Sequence, residues 1–424
     1  MSPPFTTGAG TGGPRWRSAL ANLALLLASC VLVLGALEVA FRVARQRRGG
    51  GKERQEERGY VEYDPLLGWR KIPGARVTYD RREYRVELAI NSLGLRDPER
   101  GYQAPADVVR LLALGDSFLE GYTVPLAQTL TQVLERRLAA AGCRAEVINA
   151  GTTAYSTDQE YLFYRSEGKH YSPQVVVVFF YYNDVVYNDR QWYSGRPKPV
   201  FQIAEGGLEL HRYPVLRLKP TRPPVPAEDE TVAGSALAEW LEERLWMGAP
   251  RAYNLLARLG LWEPIAPQPI RLELRVFSTI PVAEVEDAWA KTAAVFRALA
   301  REVVQDGGRL LVAYVPSRME VQDDSWRLSE ILYGFEERRW DRTLVAARLQ
   351  RLGQQDGYPV LDLTAALRLV DRGLLGRPYF AHDGHWTAIG HSAVAREVHE
   401  KLVDLGWLSI CGRDALRRGK GGAS

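Results

Sequence analysis

Leu112–Gly121 reads LALGDSFLEG, an aliphatic run that stops at Gly115 and passes at once into Asp-Ser. Taken back to Val108, the run is VVRLLALG, continuous rather than alternating, as in a strand buried on both faces of a parallel sheet. Such a strand meets a polar turn for one of two reasons. The turn is simple punctuation, or it carries a hydroxyl to the carboxyl edge, where open α/β sheets bind ligands.

The flanking sequence repeats the pattern. Further strands are expected at AEVINAG (145–151), QVVVVFFYYND (174–184), RLLVAYVPS (309–317) and YPVLDLT (358–364). Between them lie helical segments at 125–142, 156–168, 285–308, 341–355 and 387–406, several closed by glycine. In the longest, Val285, Trp289, Phe296, Leu299 and Val303 fall on one face. Five strands alternating with helices predict an α/β fold, a three-layer α/β/α arrangement around a five-stranded parallel sheet with right-handed crossovers.

Two segments break the rhythm. Residues 59–107 are aromatic and turn-rich, and the alternation around Asp80-Arg81-Arg82 predicts a hairpin or short meander in a small β-rich segment packing on the main domain, with no chemistry evident in it. A large insertion follows the third strand at about 188–281. It holds a hairpin expected around Gly206-Gly207, a proline-rich loop (KPTRPPVPAEDE) and an amphipathic helix (SALAEWLEERLWMG). The stripe of Leu237, Trp240, Leu241, Leu245 and Trp246 on that helix predicts packing against the main domain, with a lid or a face resting on lipid or polymer as the alternative.

At the N-terminus, residues 1–17 are small and polar, a disordered lead-in. Ala19–Leu37 is apolar, and as a helix it spans about 28 Å, close to a bilayer's hydrocarbon core. This predicts a transmembrane anchor at 18–41, followed by a charged linker at 42–58; a main domain at 108–408 and a disordered basic tail at 409–424 complete the organisation. Two readings compete with the anchor, a lipoprotein signal box at Leu27-Ala28-Ser29-Cys30 and a cleaved signal peptide, and the continuation of the apolar run well past Cys30 favours the anchor over both. Arg15 and Arg17 precede the anchor, while Arg42, Arg45, Arg47, Arg48, Lys52, Arg54 and Arg58 follow it. Flanking charge alone keeps the main domain cytoplasmic.

Composition narrows the function. The chain of 424 residues has 55 basic and 51 acidic side chains, a balance that argues against nucleic acid as a partner. Cys30, Cys143 and Cys411 stand far apart in unlike contexts and predict neither a disulfide framework nor a zinc site. A serine hydroxyl needs a base to become a nucleophile, so Ser117 directs attention to the six histidines. Four of them, His382, His385, His391 and His399, crowd the C-terminal region. Asp383 precedes His385 by two residues in a turn entering the last helix, a spacing that lets a carboxylate hold one imidazole nitrogen while the other faces the cleft. No third or fourth ligand at regular spacing accompanies these histidines, so no metal is expected.

These blocks together resemble the SGNH hydrolase family, the GDSL-type esterases and lipases, whose fold is flavodoxin-like. The resemblance runs from about Val108 to Leu405. GDSF carries Ser117 at the position of the catalytic serine. NAGTTAYS places Ala154 where the family has an oxyanion-hole glycine, and a backbone N–H survives that exchange. YYND places Asn183 at the side-chain donor, with Tyr181 where glycine is usual. The last block is commonly Asp-x-x-His; here Asp383-x-His385-Trp386 looks like that of alginate-acetylating SGNH-like proteins and of membrane-anchored bacterial relatives. The resemblance implies a serine esterase with Ser117, His385 and Asp383 as catalytic residues and Ser117, Ala154 and Asn183 as the oxyanion hole. It requires no cofactor and takes an acyl ester substrate, glycan-borne in one form. The alternatives it leaves are an O-acyltransferase acting on a cell-surface or exported polysaccharide and a catalytically silent fold that binds glycan or a partner. It also implies an anchored, extracytoplasmic (periplasmic) domain, against the flanking charge, and we adopt that expectation. Several aromatics, Tyr155, Tyr181, Tyr182, Trp192 and Trp386, stand as sugar-stacking or packing residues. Oligomeric state is not legible.

Overall fold

The computed structural model describes residues 15–48, 59–217, 235–260, 262, 269–335, 339–374 and 376–411. Residues 1–14, most of the expected linker, the proline-rich loop and all but the start of the expected tail lie outside them.

The chain divides into two compact units, residues 1–50 with 227–262, and residues 51–226 with 263–424. The first consists of helices. Arg15–Arg48 forms one long helix whose stretch Asn22–Val43 is long and apolar enough to cross a membrane, with none of that stretch buried. Glu38 of this helix accepts hydrogen bonds from Ser235 Oγ (2.7 Å) and the Leu237 N–H (3.0 Å), at the start of the helix Ala236–Gly248. Phe41 and Trp240 meet with ring centroids 4.9 Å apart. Within this unit the insertion helix packs on the N-terminal helix. A stripe signals burial without naming what covers it.

The second unit is the α/β body. Its sheet strands are β1 (Val109–Gly115), β2 (Ala145–Asn149), β3 (Val175–Tyr181), β4 (Arg309–Val315) and β5 (Val360–Asp362), in the order β5-β4-β3-β1-β2 and parallel throughout. Alternate residues feed two cores. Leu112, Leu114, Val176, Val178, Phe180, Val312 and Tyr314 face α2 (Thr157–Ser166), α3 (Ala283–Gln305) and α4 (Leu344–Asp356). Leu111, Ala113, Val177, Phe179, Leu311 and Ala313 face α1 (Leu130–Ala140) and α5 (Ala388–Asp404). Both faces of β1 and β3 are thus covered, which is why their sequences are unbroken apolar runs.

The order of strands along the sheet reverses at β1, with β2 on one side of it and β3 on the other, so the loops after β1 and β3 diverge at the carboxyl edge, where such sheets open a crevice. Ser117 follows β1 there. The N-terminal segment forms antiparallel pairs, Val61–Asp64 with Gly68–Lys71 and Arg76–Asp80 with Arg85–Ala89, the second turning at 81–84 as its alternation predicts. The insertion supplies a further hairpin, Val200–Ala204 with Gly207–His211.

One cysteine expectation is corrected. Cys143, just before β2, and Cys411, beyond α5, form a disulfide across a separation of 268 residues, leaving Cys30 free among the described residues. Their sequence contexts are unlike because one closes a helix–strand turn and the other a terminal helical turn.

Candidate active site

Ser117 opens a one-turn helix, Ser117–Glu120, that ends at Gly121 in the left-handed region (φ 68°). Asp116 caps it, its carboxylate accepting the Phe118 N–H at 2.8 Å. Asp116 is buried, and that burial pushes its carboxyl up to about 6 despite the opposing charge of His385. Its place is structural, holding the turn.

His385 lies on the turn before α5. A bridge between Tyr379 and Trp386 closes the turn, and Phe380 N–H donates to the His385 carbonyl (2.9 Å). Although 268 residues separate them, Ser117 Oγ and His385 Nε2 are 2.8 Å apart. His385 Nδ1 lies 2.7 Å from Asp383 Oδ1, which also accepts the His385 backbone N–H at 3.2 Å. With Nδ1–H donating to the carboxylate, Nε2 is left as the acceptor for the serine proton. Burial raises the Asp383 carboxyl, but hydrogen bonds and charge from His385 and a hydrogen bond from Tyr84 outweigh it, and the group is held below the usual carboxylate range. The imidazole is flanked by Phe118 (4.5 Å between centroids) and Tyr122 (5.0 Å). Among the other histidines, His391 is buried and accepts the Leu130 N–H; burial, with the charges of Arg96 and His385, pushes it down to about 3, so it stays neutral. His382 is exposed. No group of three or more His, Cys, Asp or Glu suited to a metal occurs among the described residues.

The remaining expected donors are placed as follows. Ala154 adopts φ 63°, a conformation that costs an L-residue about 1 kcal/mol and that glycine takes freely. Among the described residues, neither the Ser117 nor the Ala154 backbone N–H donates a hydrogen bond within the chain. Asn183 Nδ2 donates to the Tyr193 hydroxyl at 2.8 Å, which leaves one of its two amide hydrogens for another acceptor. Gly151 permits the close approach of two loops, since a Cβ there would stand 2.3 Å from the Glu120 nitrogen. Of the aromatics, Trp386 and Tyr155 are core residues, 0% and 2% exposed, whereas Trp192 is 49% exposed.

Three site residues escaped the sequence reading. Tyr122 Oη lies 3.0 Å from His385 Nδ1, and Tyr84 Oη donates to Asp383 Oδ2 at 2.7 Å. Glu83 accepts the backbone N–H groups of Ala381, His382 and Asp383 at 2.8, 2.9 and 2.8 Å. The only signal was the aromatic richness of the segment that carries two of them.

With this geometry in view, residues 278–418 match the family model ALGX, described as SGNH hydrolase-like domain, acetyltransferase AlgX. Over that stretch, about a third of the chain, it is similar to an SGNH hydrolase-like domain. The matched stretch contains Asp383 and His385; Ser117, Ala154 and Asn183 precede it. No curated protein matches the chain. Among solved structures, those similar to it include a lipase/acylhydrolase from Enterococcus faecalis, at 13% identity over 69% of this chain and 95% of that one (TM-score 0.34). A GDSL-like lipase from Bacteroides thetaiotaomicron shares 9% identity over 72% and 93% (TM-score 0.33). The acetyl xylan esterase AlAXEase shares 13% over 69% and 100% (TM-score 0.33).

Proposed function

We propose that the protein is a membrane-anchored serine esterase that removes O-acyl groups through a Ser117 acyl-enzyme. The observation that carries this reading is the linear relay from Ser117 Oγ to His385 Nε2 (2.8 Å) and from His385 Nδ1 to Asp383 (2.7 Å). His385 takes the serine proton as Oγ attacks the ester carbonyl. Asp383 fixes the tautomer and favours the imidazolium that forms. The backbone N–H groups of Ser117 and Ala154 and an amide hydrogen of Asn183 receive the developing oxyanion, each such donor lowering the barrier by about 3 kcal/mol. His385 then protonates the leaving alcohol, and water attacks the acyl-enzyme in the reverse sequence.

Purified protein should hydrolyse an acetyl ester chromogen, and Ser117→Ala should not; equal rates from both would reject the esterase and leave a binding role. A second reading, transfer of the acyl group to a polysaccharide hydroxyl, is favoured by the match of residues 278–418 to the AlgX acetyltransferase domain. Acylated glycan product formed from the same chromogen would select it.

We place the active domain outside the cytoplasm, anchored by the helix at Asn22–Val43. The Cys143–Cys411 disulfide supports an oxidising compartment against the flanking charge. Alkaline-phosphatase and fluorescent-protein fusions after Leu405 test this: a fluorescent, phosphatase-dead result puts the domain in the cytoplasm.

A further inference from the structure

The segment at 59–97 touches all three loops of the crevice. Arg96 donates to the carbonyls of Glu120, Gly121 and Val124, behind Ser117. Lys71 donates to the Gly151 carbonyl and the Thr152 hydroxyl, and Trp69 Nε1 to the Thr153 carbonyl (3.1 Å), beside Ala154. Glu83 and Tyr84 take the third loop, the turn that carries Asp383.

The contacts at this third loop differ in kind from the others. Glu83 gathers three successive backbone N–H groups of the turn onto one carboxylate, which fixes its path. Oδ1 of Asp383 is committed to His385, while Oδ2 takes a short hydrogen bond from Tyr84 (2.7 Å) and a longer one from Tyr122 Oη (3.4 Å), so Tyr84 is its nearer donor. Tyr84 is held by its ring, which packs on Phe380 (5.2 Å between centroids) and Tyr122 (6.2 Å).

We propose that Tyr84, supported by Glu83, is a positioning residue for Asp383, so that the N-terminal hairpin is a working part of the active site. The inference rests on the Ser117–His385–Asp383 reading above. A phenol donating to Oδ2 draws charge from the carboxylate and weakens its hold on the imidazolium. Removing it makes Asp383 the stronger acceptor and raises the affinity of His385 for its proton. The groups facing the pair are Ser117, Asp116 and His391 at the imidazole, Tyr122 at both the imidazole and Asp383, Glu83 at the Asp383 backbone, and Arg81 and Tyr79 beside Tyr84.

Tyr84→Phe keeps the ring and removes only the donor. In the full chain in detergent, kcat for the acetyl ester chromogen should fall about tenfold with KM held within about twofold. The acid limb of the rate profile should move up by about half a unit to one unit. The same upward shift should appear in the His385 imidazole resonance of histidine-labelled protein, assigned with His385→Gln, a readout that needs no turnover. Glu83→Gln, which leaves Tyr84 in place, should lower kcat at unchanged KM. Wild-type kcat and an unshifted His385 titration in Tyr84→Phe would overturn the proposal while leaving the esterase reading intact. A shifted titration in a protein without Ser117-dependent turnover would uphold the positioning and remove the esterase. If Tyr84→Phe does not fold, wild-type kcat and pH profile in Glu83→Gln would overturn it.

Discussion

The carboxylate of Glu120, three residues after Ser117, accepts both the backbone N–H (2.6 Å) and the hydroxyl (2.8 Å) of Thr153, the residue before Ala154. Its other oxygen accepts the Tyr60 hydroxyl at 3.0 Å. One buried side chain therefore sets the separation between the proposed nucleophile and a proposed oxyanion donor.

Glu120→Ala should break that spacing. It leaves the Thr153 N–H buried without an acceptor, a penalty of about 1–3 kcal/mol. Ester turnover should fall at least about tenfold and thermal unfolding should come earlier. Glu120→Gln, with one acceptor oxygen left, should lie between the two. Calorimetry and steady-state kinetics on the three proteins check this.

Ala154 stands in the left-handed region with a methyl group it would do better without. Ala154→Gly should keep Ser117-dependent turnover within about twofold and raise stability by up to about 1 kcal/mol, less the entropy glycine adds to the unfolded chain. Ala154→Val, branched where positive φ is least tolerated, should lose both activity and stability. Loss of turnover in the glycine variant would count against Ala154 as a backbone donor.

Peptide mapping without reduction should recover Cys143 and Cys411 in one linked fragment, with Cys30 free. Replacing both by serine should lower stability by about 2–4 kcal/mol. Free thiols at all three positions in protein isolated from its native compartment would remove the support for an oxidising location.

The buried carboxyls should make the protein more stable at pH 6.5 than at 7.5. Burial pushes Asp97 and Glu320 up to about 7 and Asp116 to about 6. Glu160 and Asp184, buried beside Asp116, are raised by burial and then by neighbouring carboxylates. In the unfolded chain these groups lose their protons near 4, so between about 4 and 7 the native state binds more protons and stability falls as pH rises. Asp383, Glu286 and Asp323, held low, act in the opposite sense only below about 4. His391, pushed down to about 3, and His399, lowered by burial, oppose the trend from about pH 7 downward, more weakly in this window than the carboxyls near 7. Melting temperatures at the two pH values decide the sign, and Glu320→Gln should shrink the difference.

Much of this was legible in the sequence because continuous apolar runs identify central parallel strands without any knowledge of their neighbours. Ser117 and His385 were legible for a related reason: each sits at a fixed place in that pattern, after the first strand and before the last helix. Partners that meet only through the tertiary fold were not. Tyr84 and Asp383 are 299 residues apart, and nothing local to either predicts the other. Cys143 and Cys411 looked solitary on the same ground. The stripe on the helix Ala236–Gly248 was visible, yet Glu38 and Phe41 of the N-terminal helix could not be read from it.

The most direct test is labelling of the intact protein with a fluorophosphonate, followed by peptide mapping. The structure places an imidazole nitrogen 2.8 Å from the Ser117 hydroxyl, so the phosphonyl group should be found on Ser117 and labelling should be lost in His385→Ala. A label on any other residue, or a Ser117 that stays unmodified while the protein turns over ester, would contradict the account.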